Sequence, residues 1–162
     1  MDRSLFRRWL EAKTKRLVIY TESVNQYLDL SKETLHKIKF DNSPDDNNLR
    51  LFFCMALEKS LDAFANEICA QQNININSFM GMNTYIKLKN ISNHQNNIAL
   101  ISKELKSDGL IEEFKDIFEK EIDPPNADLI ISSNNNTLKK FNLLLNKYSE
   151  WISSFRKIHH EC

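Results

Sequence analysis

The stretch NLRLFFCMALEKSLDAFANEICAQQN, residues 48–73, decides the fold class of this 162-residue chain. Its apolar residues recur at spacings of three and four, the period of an α-helix. An apolar face as wide as this one contacts several neighbouring elements, and the stretch therefore predicts a central helix over residues 49–71. Asn48 is the predicted N-cap of this helix. The face comprises Leu49, Phe52, Phe53, Ala56, Leu57, Ser60, Leu61, Phe64, Ala65 and Ile68.

The composition around this stretch favours long helices with few connections. Hydrophobic residues make up 41% of the chain and charged residues 27%, which is typical of a globular domain. Only two glycines and three prolines occur, too few turn formers for a sandwich of short strands. We therefore expect one all-α domain over residues 1–162, without disulfides or metals.

Further helices are predicted on both sides of the central one, giving a bundle of five or six. The same periodicity places them at residues 4–29, 95–107, 110–121 and 136–160. Residues 31–40 either extend the first helix or form a short one. Residues 74–92 are irregular, and we favour a loop with a short helix over a hairpin or edge strand. Gly109 suits a left-handed terminus for the helix that precedes it.

The last predicted helix carries a narrow apolar seam in steps of three and four. Such a seam packs either inside a bundle or against a second copy of the chain, and we favour packing within the chain. The seam comprises Leu138, Phe141, Leu145, Tyr148, Ile152, Phe155 and His159.

Charge is balanced overall but unevenly distributed. The formal net charge is zero, so no global field attracts nucleic acid or an anionic membrane. Residues 1–17 carry six bases against two acids, residues 104–128 nine acids against three lysines, and residues 136–162 five bases against two acids. Ordinary solvated helix faces produce such swings. Alternatively, the two basic ends lie together, opposite an acidic face.

The cysteines and the amino terminus indicate a cytoplasmic protein that does not associate with membranes. Three cysteines are an odd number, which is typical of a reducing compartment. Cys54 and Cys69 share one predicted helix about 22 Å apart, too far to pair. No apolar run is long enough for a signal peptide or a membrane span.

The carboxyl-terminal tail is the candidate site for chemistry. Neighbouring helical residues point about 100° apart, so His159, His160 and Cys162 converge poorly on one ion, and we expect no metal or cofactor. Arg156 and His160 are four residues apart and lie on one face of a helix. An arginine can hold a phosphate while a histidine transfers protons. RNA needs little more, because its 2′-hydroxyl can serve as the nucleophile.

Two segments resemble the HEPN superfamily of bacterial and archaeal helical bundles. They are LNKYSEWISSFRKIHHE, residues 145–161, and FFCMALEKSLDAFANEI, residues 52–68. Many HEPN domains are metal-independent ribonucleases of toxin–antitoxin and anti-phage defence systems, with a composite site between two protomers. The resemblance therefore implies a homodimer that acts on RNA.

Carried onto this chain, the resemblance assigns roles to four residues of the tail. Arg156 would bind the scissile phosphate, and His160 would be the acid–base group. Lys157 and His159 would contact the substrate. The family pattern has four to six residues between arginine and histidine, whereas Arg156 and His160 enclose three, and Lys157 stands where the family often has asparagine.

The alternative is a non-catalytic helical module, such as an antitoxin, an immunity protein or a regulator. The acidic segment Glu104 to Asp128 would then bind a basic protein partner. An enzyme must depend on Arg156 and His160, whereas a binding module tolerates their loss and depends on the charges between Glu112 and Glu121.

Overall fold

The computed structural model describes residues 3–41, 43–94, 98–122 and 134–160. Within these ranges the chain forms helices and no strand, which confirms the all-α fold. In chain order the elements are α1 (Arg3–Lys37), α2 (Pro44–Gln72), a 3-10 turn (Ile76–Phe79), α3 (Thr84–Asn93), α4 (Ile98–Glu104), α5 (Leu110–Ile122) and α6 (Asn134–His160).

Helices α1 and α2 form a long antiparallel hairpin whose ends differ from the prediction. Residues 31–37 continue α1, so of the two predicted alternatives the structure shows the extension of the first helix and not a separate short helix. Helix α2 begins at Pro44 with Ser43 as its N-cap, so the prediction of Asn48 as the cap was wrong. The Ser43 hydroxyl accepts a hydrogen bond from the Asp46 amide at 3.2 Å, and proline at the first helical position lacks the N–H that would need a partner.

The turn between α1 and α2 is held by one buried carboxylate. Asp46 Oδ1 accepts hydrogen bonds from the backbone amides of Lys39 at 2.6 Å and Phe40 at 2.9 Å. Phe40 has a φ of 57°, in the left-handed region that a bulky residue seldom adopts. The buried Asp46 side chain therefore holds a strained turn and fixes how α2 returns along α1.

Helix α6 runs parallel to α2 and packs its seam against it. Phe141 stacks on Phe53 with ring centroids 4.7 Å apart, and Phe155 meets Phe64 edge-on at 5.3 Å. Between them, the Tyr148 hydroxyl lies 3.1 Å from Ser60 Oγ, which itself donates to a carbonyl of α1. The seam from Phe141 to Phe155 is thus buried within the chain, as predicted.

The segment after α2 contains the predicted short helix, which is α3. Helix α2 ends at Gln72 and is capped by Asn73, which is left-handed with a φ of 57° and donates its amide to the Cys69 carbonyl. Helix α4 ends at Glu104, earlier than predicted, while residues 95–97 of that prediction lie outside the described residues. Gly109 is not in the left-handed region; it is required because a Cβ there would lie 2.4 Å from the Glu104 carbonyl oxygen.

Helix α5 lies along the first half of α2, antiparallel to it. Arg50 donates to Glu121 at 2.7 Å near the start of α2, and Leu110 and Ile111 pack beside Leu57 about two turns later. Among the described residues, no helix is both long enough and apolar enough to cross a bilayer.

Candidate functional site

Arg156 is held in a fixed position near the end of α6. Its Nε and Nη2 donate to the two carboxylate oxygens of Glu67 on α2, each at 2.8 Å. Its Nη1 donates to Asn25 Oδ1 on α1 at 3.0 Å. One guanidinium therefore joins the three longest helices of the bundle.

Glu67 explains why Arg156 is held there. The Glu67 side chain is only 1% exposed, and an unpaired carboxylate at such depth would be costly to the fold. The planar guanidinium matches both carboxylate oxygens at once, which a lysine cannot do. The pair is therefore a structural contact whatever else Arg156 does.

Arg156 nevertheless retains donors for a ligand. A guanidinium has five N–H donors, and the contacts with Glu67 and Asn25 use three of them. The Arg156 side chain is 20% exposed, so it reaches the surface. The arrangement can offer a preoriented cation to an anion such as a phosphate, although Glu67 neutralises part of its charge.

The remaining predicted residues follow Arg156 directly. Helix α6 continues through His160, so positions 156 and 160 are one helical turn apart, as predicted. Lys157 is exposed. The side chains of His159 and His160 lie outside the described residues. The structure thus places the backbone of the predicted motif and the side chains of its first two residues.

The last two bases of α6, Arg156 and Lys157, lie toward the same end of the bundle as the basic half of α1, and this is the basic end. The other three bases of the carboxyl-terminal segment, Lys139, Lys140 and Lys147, lie on the opposite half of α6. Because α1 is antiparallel to both α2 and α6, the carboxyl end of α6 approaches α1 at Asn25 and points toward the half of α1 that carries Lys13 and Arg16. Helix α5 lies along the opposite half of α2, where Arg50 meets Glu121. Packing therefore separates the basic end from the acidic helix.

A groove at this basic end was not predicted. It has a volume of about 560 Å³ and lies between the amino-terminal half of α1 and the segment that follows α2. Helix α1 contributes Trp9, Lys13, Arg16 and Tyr20, and residues 73–77 form the other wall. The Lys13 ammonium lies 5.6 Å from the centre of the Trp9 ring, a cation–π contact. Both charged residues that line the groove are basic.

Sequence reasoning missed Glu67, Asn25 and the groove for different reasons. Trp9 falls in the apolar stripe of α1, yet it is 50% exposed because α2 ends before covering it. The sequence feature that could have indicated the groove is Lys13, a charged residue that interrupts the apolar stripe of α1. For Glu67 the signal was an acid beside Ile68, within the apolar face of the central helix. Asn25 gave no signal of its own.

Two of the cysteines are core residues. Cys54 and Cys69 are buried free thiols of α2. Burial raises the pKa of Cys69 to about 11 and raises that of Cys54 further, so both thiols stay protonated near neutral pH and are poor nucleophiles. Within the part of the chain that the structure describes, no three His, Cys, Asp or Glu side chains are grouped to hold a metal ion.

The acidic segment is partly neutralised by contacts within the chain. Lys147 of α6 lies 2.6 Å from Glu113. Arg50 pairs with Glu121 at 2.7 Å, and Lys115 approaches Glu119 at 3.9 Å. Fewer carboxylates of α5 are therefore open to a basic partner than the sequence alone indicates.

Comparison of the chain with protein-family models, with curated proteins and with solved structures finds no match.

Proposed function

We propose that this chain is a HEPN-like domain of a bacterial defence or toxin–antitoxin system that cleaves RNA without a metal. The observation that supports this proposal best is Arg156, which Glu67 and Asn25 hold at the surface with two N–H donors left over. A preoriented donor stabilises developing negative charge without reorganising during the reaction.

The proposed chemistry is a transesterification followed by release of the product. The 2′-hydroxyl oxygen attacks the adjacent phosphorus, a new P–O bond forms, and the bond to the 5′-oxygen breaks. His160 takes the proton from the 2′-hydroxyl, and a second histidine protonates the leaving 5′-oxygen. The products are a 2′,3′-cyclic phosphate and a free 5′-hydroxyl. Arg156 would contact the phosphate, with Lys157 and His159 beside it.

The second histidine motivates the proposed homodimer, in which two copies of the tail share one site. The seam of α6 is buried from Phe141 to Phe155, so the dimer surface has to be elsewhere. Val18 is seven residues before Asn25 and therefore lies on the same face of α1; it is 49% exposed, and Ile158 of α6 is 43% exposed. We propose that these exposed apolar residues, one on the Asn25 face of α1 and one near the end of α6, form part of the dimer surface. A strict monomer in sedimentation at high concentration would remove the dimer from the proposal.

The direct test is cleavage of end-labelled RNA in EDTA by the purified chain and two variants. His160→Ala should lower the rate by at least about a hundredfold, because a general acid–base group contributes roughly 10²–10⁴. The matched control is His36→Ala, since His36 is exposed near the other end of α1 and should leave the rate unchanged. Arg156→Lys, checked for folding, should also slow cleavage while retaining a cation opposite Glu67.

The absence of cleavage by the folded parent chain would favour the second candidate, a non-catalytic binding module. Its support is a groove of about 790 Å³ between α3 and α5, where exposed Ile122 and half-buried Phe118 lie beside charged residues. Three acids, Glu58, Asp116 and Glu119, outnumber the two lysines that also line it, Lys115 and Lys120. Such a surface suits a basic amphipathic helix. Calorimetry should show binding of such a peptide, and Asp116→Lys/Glu119→Lys should abolish it.

A further inference from the structure

The groove at the basic end contains residues typical of a binding site, and none of them belongs to the proposed site around Arg156. Trp9, Lys13, Arg16 and Tyr20 follow one another in steps of four, three and four, so they form one stripe along about 16 Å of helix. Tyr20 and Asn25 are five residues apart and point about 140° away from each other. The groove and Arg156 therefore occupy different faces of α1.

Its aromatic residues are placed for stacking rather than for the core. Trp9 is half exposed and Tyr20 is partly exposed, although the other tryptophan, Trp151, is buried. Exposed aromatic rings in a groove provide platforms on which unpaired bases stack, and every base has a face that can do so.

Its charged residues are placed for phosphates. Lys13 and Arg16 are one turn apart, and no acidic residue lines the groove within the described chain. The opposite wall carries Asn73, Asn75 and Asn77, whose side-chain amides can both donate and accept hydrogen bonds. Here two cations lie between two aromatic rings, with polar groups opposite, and proteins combine such cations and rings to bind a single strand.

We infer that this groove binds single-stranded RNA, with bases stacked on Trp9 and Tyr20 and phosphates paired with Lys13 and Arg16. The groove is open and about three helical turns long, which suits an extended strand better than a single nucleotide. This binding does not require the cleavage proposed above, and the site lies apart from Arg156. A duplex has no unstacked bases and should not fit.

The test uses the full chain with His160→Ala, so that any cleavage is suppressed, and a fluorescently labelled uridine dodecamer. Lys13→Glu/Arg16→Glu should weaken binding by at least tenfold in fluorescence anisotropy at low salt. The matched control is Arg8→Glu/Lys15→Glu, which changes the charge of α1 equally but lies outside the groove, and it should weaken binding less than threefold. Circular dichroism establishes that each variant is folded.

Two further measurements separate stacking from general electrostatic attraction. Trp9→Ala should weaken binding about tenfold, because stacking of one base is worth that much, whereas Trp9→Phe should retain most of it. Replacing Lys13 and Arg16 by alanine should lower the slope of log affinity against log salt by about 1.4, since each phosphate contact with a single strand contributes about 0.7.

Several results would overturn this inference. Equal weakening by the two charge-reversal variants would mean that only net charge matters. Equal affinity for duplex RNA, or for uridine monophosphate alone, would exclude a single-strand groove. No binding at all would exclude it too. The two proposals fail separately. If the groove variants lose RNA binding but the parent chain does not cleave RNA, the proposed cleavage fails and the groove stands; if the parent chain cleaves RNA but the groove variants bind it unchanged, the groove fails and the cleavage stands.

Discussion

Arg156 and Glu67, 89 residues apart in sequence, form a two-pronged ion pair whose hydrogen bonds are both 2.8 Å long. The pair fixes the end of α6 against α2, and Asn25 extends it to α1. Stability and the proposed chemistry thus share one guanidinium. If a variant of Arg156 loses activity, the loss can be assigned to the chemistry only when the variant is also shown to be folded.

We expect Arg156→Ala to lower the free energy of unfolding by about 3–5 kcal/mol, because it leaves the buried Glu67 charge without its cation and with only a 3.5 Å hydrogen bond from Gln71. Adding Glu67→Gln should recover part of this loss, since a neutral amide is less costly to bury. Urea denaturation of the single and double variants measures both effects.

Lys147→Ala is the comparison for that experiment. It also breaks an ion pair, with Glu113, but both side chains are substantially exposed. Its cost should be about 0–1 kcal/mol. A similar cost for Arg156→Ala and Lys147→Ala would contradict the burial argument.

Asp46→Ala should destabilise the chain by about 2–3 kcal/mol, because the buried Phe40 amide and the neighbouring Lys39 amide lose their acceptor. Asp46→Asn keeps a carbonyl oxygen in place of Oδ1 and should cost clearly less. Thermal unfolding followed by circular dichroism ranks the two variants. Equal midpoints would mean that this turn does not depend on the Asp46 side chain.

The two glycines should respond differently to asparagine. Gly81 has a φ of 78°, which strains any other residue, but it has open space around it and asparagine tolerates left-handed backbone better than most, so Gly81→Asn should cost less than about 1 kcal/mol. Gly109→Asn should cost about 1–3 kcal/mol, because any Cβ there meets the Glu104 backbone. Chemical denaturation of the two variants makes the comparison, and an equal response would refute the close approach.

The free energy of unfolding should fall as the pH rises from about 9 to about 11. Burial raises the pKa of Cys69 from 9.0 to about 11, so the unfolded thiol loses its proton first and deprotonation favours unfolding across that window. Cys69→Ala removes this contribution, and its stability should fall less steeply over the same range. Parallel pH profiles from urea titrations of the parent and variant would contradict the assignment.

Much of the helical framework could be predicted from apolar periodicity. The period shows which side of a helix avoids water, and this identified the central stretch of α2 and the seam of α6 correctly. It located the ends of helices less well, because caps depend on single side chains and on local backbone contacts. The N-cap of α2 is Ser43, five residues before the predicted cap, and α4 ends at Glu104, whose backbone leaves no room for a Cβ at Gly109.

The sequence by itself determined that the chain is helical and that Arg156 and His160 stand one turn apart on its last helix. Only the tertiary structure decided that Glu67 pairs with Arg156, that the carboxyl end of α6 points toward the basic half of α1, and that Trp9 and Lys13 face residues 73–77 across a groove. Periodicity reports burial within one helix and carries no information about which helix lies opposite. The partner of a buried charge is set by long-range packing.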